Sequence, residues 1–229
     1  MITVVIPTLN AEAGLAASLM SLVSATVDGL VREVIIVDGG STDRTLAIVD
    51  QAGATLLKTA AGRGGQLAAG AGAARMPWLL FLHADTILEP GWEREVQAFI
   101  DRIDIGQRAE TAAAFRFALD DMGVMPRIIE TGVAIRCALM RLPYGDQGLL
   151  VPRRLYAEIG GYRDLPLMED VDIVRRLGRS RIAILRARAV TSAIRYRRDG
   201  YLRRTARNLV CLLLFYGRVP PRLIAKIYH

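Results

Sequence analysis

The chain has 229 residues, 52% of them hydrophobic, enough for one domain with an ample core. No apolar run nears the roughly 18–20 residues that cross a bilayer, and the start, MITVVIPTLN, has neither a charged n-region nor a cleavage signature, so no export signal is read. The net charge of +7 is unevenly held: residues 1–174 carry 15 basic and 22 acidic residues, whereas 175–229 carry 15 basic residues against Asp199 alone.

Such a local positive field suits nucleic acid, an anionic membrane surface or a phosphorylated substrate. Cys137 and Cys211 both sit in apolar surroundings. They read as buried thiols of a reducing, cytoplasmic compartment, not as a disulfide or a metal site.

In chain order, ITVVIP is a β-branched run followed by a helical pattern from about Glu12 to Ala25. REVIIVDGG is a second run, stopped by Gly39-Gly40 and followed by the helix-start signal Ser41-Thr42-Asp43. ATLLKTA precedes an Ala/Gly-rich helix over about 64–74, and WLLFLHAD precedes a helix after Pro90-Gly91. Apolar runs without polar alternation, separated by helices, predict a mostly parallel central sheet with helices on both faces, an α/β doubly wound layout. Farther on, AAAFRFAL reads as a strand, 126–141 as a helix, and GLLVPRRLYAEIGGY as a short strand with a helix opened by Pro152. MEDVDIVRRLG is an amphipathic helix stopped by Gly178, and RIAILRARAVTS is a strand. A basic, apolar helix runs from about Gly200 to Tyr216, and a last short one follows Val219-Pro220-Pro221. No repeat or linker divides the chain, so one domain is expected: a nucleotide-side half over 1–110, a second half over 111–198, and basic apolar helices over 199–229.

Ligands of open parallel sheets bind outside the carboxyl ends of the strands. Those ends carry Pro7-Thr8-Leu9-Asn10, Asp38-Gly39-Gly40-Ser41 and His83-Ala84-Asp85, while the flexible, basic Gly62-Arg63-Gly64-Gly65-Gln66 follows the third strand. Three polar strand ends on one edge argue for a site, although Asp38 also suits a turn cap before the following helix. Neither G-x-G-x-x-G nor a P-loop is present, so a nucleotide would be held in another way. Asp38 can accept from a base or ribose, Gly39 lets the backbone approach, Arg63 supplies a counter-charge, and Asp85 suits Mg²⁺ or Mn²⁺ bridged to a diphosphate. A second cluster joins a Gly-rich, Tyr-containing segment to Glu169, Asp170 and Asp172 at a helix start, where the dipole favours carboxylates.

In this order and spacing, VVIPTLN at 4–10, IIVDGGSTDRT at 35–45, HAD at 83–85 and GDQGLLVPRRLYAEIGGY with LMEDVDIVRRL over 145–177 resemble the family 2 glycosyltransferases of the GT-A fold, most closely a small single-domain bacterial branch. The resemblance implies an inverting, metal-dependent transfer from a nucleotide diphosphate sugar to a hydroxyl acceptor, with no nucleic acid partner. Pro7, Thr8, Asn10, Asp38, Gly39, Arg63, Gln66 and Ala84 would lie on the donor side, and Asp146 and Gln147 on the acceptor side. Asp85, with His83, would hold Mg²⁺ or Mn²⁺. Asp170, beside Glu169, would be the general base.

Two departures stand out: His83 replaces the first carboxylate of D-x-D, and Ala68 stands where many relatives have Asn. The Q-x-x-R-W of processive synthases is missing, so transfer of a single sugar is expected. A sugar-1-phosphate nucleotidyltransferase would need a glycine-rich loop after the first strand. A non-enzymatic nucleotide- or membrane-binding protein would leave the strand-end cluster without purpose. The helix over 200–216 sets Arg203, Arg204 and Arg207 beside six large apolar residues, with no acid after Asp199. It predicts peripheral attachment to an anionic membrane surface on the cytoplasmic side and hence a lipid-linked acceptor, or else packing of the apolar part on the sheet or on a second subunit.

Overall fold

A computed structural model describes residues 1–228. Eight strands form one sheet in the order β3-β2-β1-β4-β7-β6-β8-β5. The strands β1 (Ile2–Thr8), β2 (Val31–Asp38), β3 (Thr55–Lys58) and β4 (Trp78–Phe81) are mutually parallel. β7 (Leu149–Pro152) runs antiparallel between β4 and β6 (Ala112–Asp120), and β8 (Ile182–Ser192) is parallel to β6. β5 (Thr86–Leu88) closes the edge antiparallel to β8.

Side-chain alternation assigns the two faces. Val4, Ile6, Ile36 and Leu80 point into a core shared with Leu15, Ala25, Trp92 and Phe99. These come from α1 (Glu12–Met20), α2 (Val23–Val27) and α5 (Trp92–Asp104). Val5, Ile35, Val37 and Phe81 face the other way, against Leu67, Leu155 and Ile173. Those belong to α4 (Arg63–Ala73), α7 (Arg153–Glu158) and α8 (Glu169–Leu177). With α3 (Thr45–Gln51) after β2, the doubly wound layout is present as expected. Strands buried on both faces need continuous apolar runs, and these strands have them.

Three local features differ from the expectation. The helix over 12–25 is two helices, because the Ser21 carbonyl accepts the Trp92 indole N–H at 3.0 Å and the Ser21 hydroxyl bonds Ser18 O at 2.7 Å, which interrupts the ladder. β5 is three residues long and stands only by pairing with β8. The fourth strand stops at Phe81, so His83-Ala84-Asp85 forms a turn, closed by the Thr86 N–H donating to His83 O at 3.2 Å.

Helix α4 comes close to β1 and β2 through Gly70, where a Cβ would lie 2.3 Å from Val5 Cγ1 and 2.9 Å from Val37 Cγ2. Gly72, two residues on, has nothing within 4 Å. Gly70→Ala is therefore expected to lower stability by about 1–3 kcal/mol through overpacking. Gly72→Ala should raise it by up to ~1 kcal/mol from helix propensity. The urea midpoints of the two variants should move in opposite directions, and a shared gain would refute the close packing.

α6 (Val124–Met140) lies against β6, and α9 (Ile194–Asp199), α10 (Tyr201–Tyr216) and α11 (Pro221–Tyr228) end the described chain. Asp199 accepts from Arg198 at 2.8 Å, Arg204 at 3.0 Å and Arg207 at 3.2 Å. The Arg198 hydrogen bond and these neighbouring charges hold its carboxyl down to about 2. No acid follows Asp199, but Asp199 itself is shared by Arg204 and Arg207, while Arg203 stays exposed. No described helix is long and apolar enough to cross a membrane.

Candidate active site

The sheet directions bring the ends of β1, β2, β4 and β8 and the start of β7 to one edge. A cavity of about 140 Å³ opens there. His83 and Asp85 line it from the turn after β4, Tyr144 and Asp146 from the turn before β7, and Thr191 and Ser192 from the end of β8. Arg63, the first residue of α4, and Met168–Val171 at the start of α8 form a wall. Arg195, Tyr196, Arg204, Asn208, Leu212 and Tyr228 roof it from the three last helices.

The α8 wall is built under constraint. Met168, its N-cap, adopts a left-handed backbone with φ of 66°, a conformation that costs a non-glycine residue on the order of 1 kcal/mol or more. It turns Glu169 inward and Asp170 toward the cavity. Asp170 Oδ2 accepts the Gly145 N–H at 2.8 Å, and Oδ1 accepts the Val171 N–H at 2.7 Å. Glu169 is buried and accepts from Arg63 Nη1 at 3.2 Å. Burial pushes the Glu169 carboxyl up, against the pull of Arg63. Although burial opposes its charge, Arg63 is held more firmly protonated by Glu169, Asp170 and Asp85. The pair locks α4 to α8, so Glu169 holds Arg63 in place and leaves Asp170 as the carboxylate facing the cavity. Asp172 turns away, to Arg163 at 3.3 Å and Arg176 at 2.7 Å.

Gly145 lies over the His83 ring. A Cβ there would come within 2.7 Å of Nε2 and 3.4 Å of Asp170 Oδ2, so glycine lets the two turns meet. Burial, then Arg63 and Arg195, lower the His83 pKa well below the imidazole range. The ring is neutral and keeps a lone pair. No cluster of three or more His, Cys, Asp or Glu is present among the described residues. A divalent cation bridged to a diphosphate needs only one or two carboxylates besides substrate and water. Half-buried Asp85 with the neutral imidazole of His83 meets that requirement, and its nearest cation, Arg195, stays 4.0 Å away. Asp146 is different: burial, with Asp170 and Asp85 adding to it, pushes its carboxyl up to about 6. Its Oδ1 is buried without a hydrogen-bond partner among the described residues.

The remaining expected residues form a neighbouring strip or point away. Asp38 accepts from Ser41 Oγ at 2.5 Å, from the Ser41 and Gly40 N–H groups at 2.9 Å, and from Thr8 Oγ1 at 3.1 Å. Burial opposes its ionisation, but these bonds hold the carboxyl below the usual range. Asp38 thus organises the turn, the capping arrangement considered above. Asn10, at φ of 49°, ties that turn to the end of β1 by accepting the Thr42 N–H at 2.9 Å. Pro7 remains inside β1, in register with Val37.

Gln66 spends its amide hydrogens on Thr8 O at 2.9 Å and Val37 O at 2.7 Å, closing the β1–β2 edge beneath Gly39. Ala84 packs on the core. Gln147, expected toward the acceptor, is buried: it donates to Phe115 O at 2.8 Å and accepts from Arg136 at 3.2 Å, holding the 144–147 turn instead of lining the cavity. Tyr144, Arg195, Arg204 and Asn208 were not read from the sequence as site residues. Tyr144 belongs to the Tyr-containing segment noted above, and the sign of the two arginines was the basic character of the last 55 positions.

Residues 3–111 match the family model described as glycosyl transferase family 2. That segment, just under half of the chain, is similar to this family. No curated protein matches it. Among solved structures, S. aureus TarS 1–349 is similar at 18% identity over 99% of this chain and 69% of that one, with a TM-score of 0.62. Glucosyl-3-phosphoglycerate synthase from Mycobacterium tuberculosis is 22% identical over 96% of this chain and 81% of that one, again at 0.62; that structure holds Mn²⁺, uridine diphosphate and glucosyl-3-phosphoglycerate. At such identity the likeness is one of fold, and the fold is GT-A. The matched segment supplies the β1, β2 and β4 ends and Arg63. Asp146, Glu169, Asp170 and the whole roof come from beyond it.

Proposed function

We propose that this glycosyltransferase transfers one sugar from a nucleotide diphosphate sugar to an acceptor hydroxyl with inversion, assisted by Mg²⁺ or Mn²⁺. The observation that carries the reading is the convergence of Asp170, Arg63, His83 and Asp85 on one cavity beside the Thr8–Asp38 strip. The acceptor oxygen attacks the anomeric carbon and its proton passes to an Asp170 carboxylate oxygen. The bond from that carbon to the diphosphate oxygen breaks, and the nucleoside diphosphate leaves. Arg63, fixed by Glu169, faces the negative charge that develops on the leaving group. Asp85 and His83 would hold the cation, which supplies further charge neutralisation when bound. The Mn²⁺ and uridine diphosphate in the mycobacterial synthase support the donor class.

Thermal unfolding across nucleoside diphosphates and nucleotide sugars, with and without Mn²⁺, tests this. A true donor binds the native state and raises the midpoint by mass action. Uniform midpoints across the panel would reject the donor class.

A second reading concerns location. Leu202, Leu209, Val210, Leu213, Leu223 and Ile227 are exposed on α10 and α11, and Arg203, Arg218, Arg222 and Lys226 are exposed beside them. Apolar surface ringed by cations fits the interface of an anionic membrane. Co-sedimentation with phosphatidylglycerol vesicles should be strong at low salt and weaken as salt screens it. Equal binding to neutral vesicles, or a concentration-dependent dimer with no vesicle binding, would replace the membrane with another apolar surface or a second copy.

A further inference from the structure

Five buried side-chain atoms lack a hydrogen-bond partner among the described residues: Glu93 Oε2, Asp146 Oδ1, Arg204 Nε, Arg207 Nε and Asn208 Oδ1. Three of the five belong to residues lining the active-site cavity, and Arg207 is next to Asn208 on α10. Buried polar atoms are nearly always paired, so a concentration of orphans on one cavity marks where a ligand supplies the missing partners. Arg204 is 8% exposed.

The charges are sorted as well. Asp199 is shared by Arg198, Arg204 and Arg207, so the roof keeps surplus positive charge. Arg195 adds to it. The other elements lining the cavity carry Asp85, Asp146 and Asp170, with Arg63 paired to Glu169 and Asp85 within 4.0 Å of Arg195. A molecule with an anionic group and hydroxyls would therefore lie one way round. Its anion meets the guanidinium N–H groups of the roof, and its hydroxyls donate to Asp146 Oδ1 and Asn208 Oδ1. The acidic side repels the anion and leaves a hydroxyl toward Asp170.

We infer that α10 builds the acceptor subsite, with Arg204 and Asn208 as its specificity-determining residues, and that the acceptor is a hydroxyl compound carrying a phosphate-class oxyanion. This rests on the glycosyltransferase reading of the same cavity. A soluble polyol phosphate and a phospholipid headgroup share this chemistry.

The test uses the full chain saturated with uridine diphosphate and Mg²⁺, so that the donor side cannot capture the probe. Calorimetry should show glycerol 3-phosphate binding well above glycerol, with inorganic phosphate between them. Asn208→Leu and Arg204→Gln should each weaken glycerol 3-phosphate about tenfold or more and leave uridine diphosphate affinity within about twofold. Arg204→Gln also removes a partner of Asp199, whereas Asn208→Leu leaves that cluster intact, so the second variant decides if the first unfolds. Competition by phosphatidylglycerol vesicles assigns the phosphate to a lipid. Binding of glycerol 3-phosphate without such competition assigns it to a soluble acceptor.

Glycerol 3-phosphate binding no better than glycerol overturns the inference. So does an equal fall in uridine diphosphate affinity, which would give the roof to the donor. Failure of uridine diphosphate itself to bind with metal would instead sink the donor reading.

Discussion

Asp170→Asn is expected to retain nucleoside diphosphate binding and to lose transfer by about 10²–10⁴-fold, the usual contribution of a general base. The substitution is isosteric, and the amide oxygen it introduces can still accept one of the two N–H groups, from Gly145 and Val171, that now hold the carboxylate. Turnover should therefore fall through loss of proton acceptance and not through collapse of the α8 wall. The second N–H is left opposite an amide donor, which costs stability by about 1–3 kcal/mol. A parallel Glu169→Gln variant separates the roles, because it weakens the clamp on Arg63 but leaves Asp170 in place. It should lose less turnover than Asp170→Asn and more nucleotide affinity. Turnover of Asp170→Asn above about a third of the unaltered protein's would remove Asp170 from the base role.

Asp85→Ala should abolish the tightening of nucleoside diphosphate binding by Mn²⁺ while the fold stays intact. The residue sits in a turn and is partly exposed, and among the described residues the cation nearest its carboxylate is Arg195 at 4.0 Å. The Ser192 N–H bond at 3.2 Å goes to its main-chain oxygen and survives the truncation. Loss of groups that support a bound metal commonly weakens it about 10–100-fold, and loss of the carboxylate itself should reach at least that range. Calorimetric titration with uridine diphosphate, with and without Mn²⁺, reads the effect directly. An undiminished Mn²⁺ enhancement in the variant would exclude Asp85 as the ligand and turn attention to His83 with Asp170, which both approach Gly145.

What the sequence determined by itself was most of the order of elements and the edge where polar strand ends gather. Its apolar runs are continuous because β1, β2 and β4 are buried on both faces, and each run stops at a polar or glycine-rich turn that must reach solvent. The ends at Thr8, Asp38 and His83 were therefore legible, as was the carboxylate pair at the start of α8. These are signals of neighbouring residues.

What only the tertiary structure decided involves residues far apart in the chain. β7 entering antiparallel between β4 and β6 brings Asp146 beside a turn some 60 positions earlier, and no local pattern encodes that approach. Gln66 and Gln147 look like ligand-binding amides until the fold spends both on main-chain carbonyls. The last helices read as a free basic surface because charge counting cannot show three arginines converging on Asp199, or Arg204 and Asn208 turning inward over the site. Periodicity specifies which face of a helix is apolar. Where that helix lies, and so which of its polar residues are buried against a cavity, follows from the packing of the whole domain.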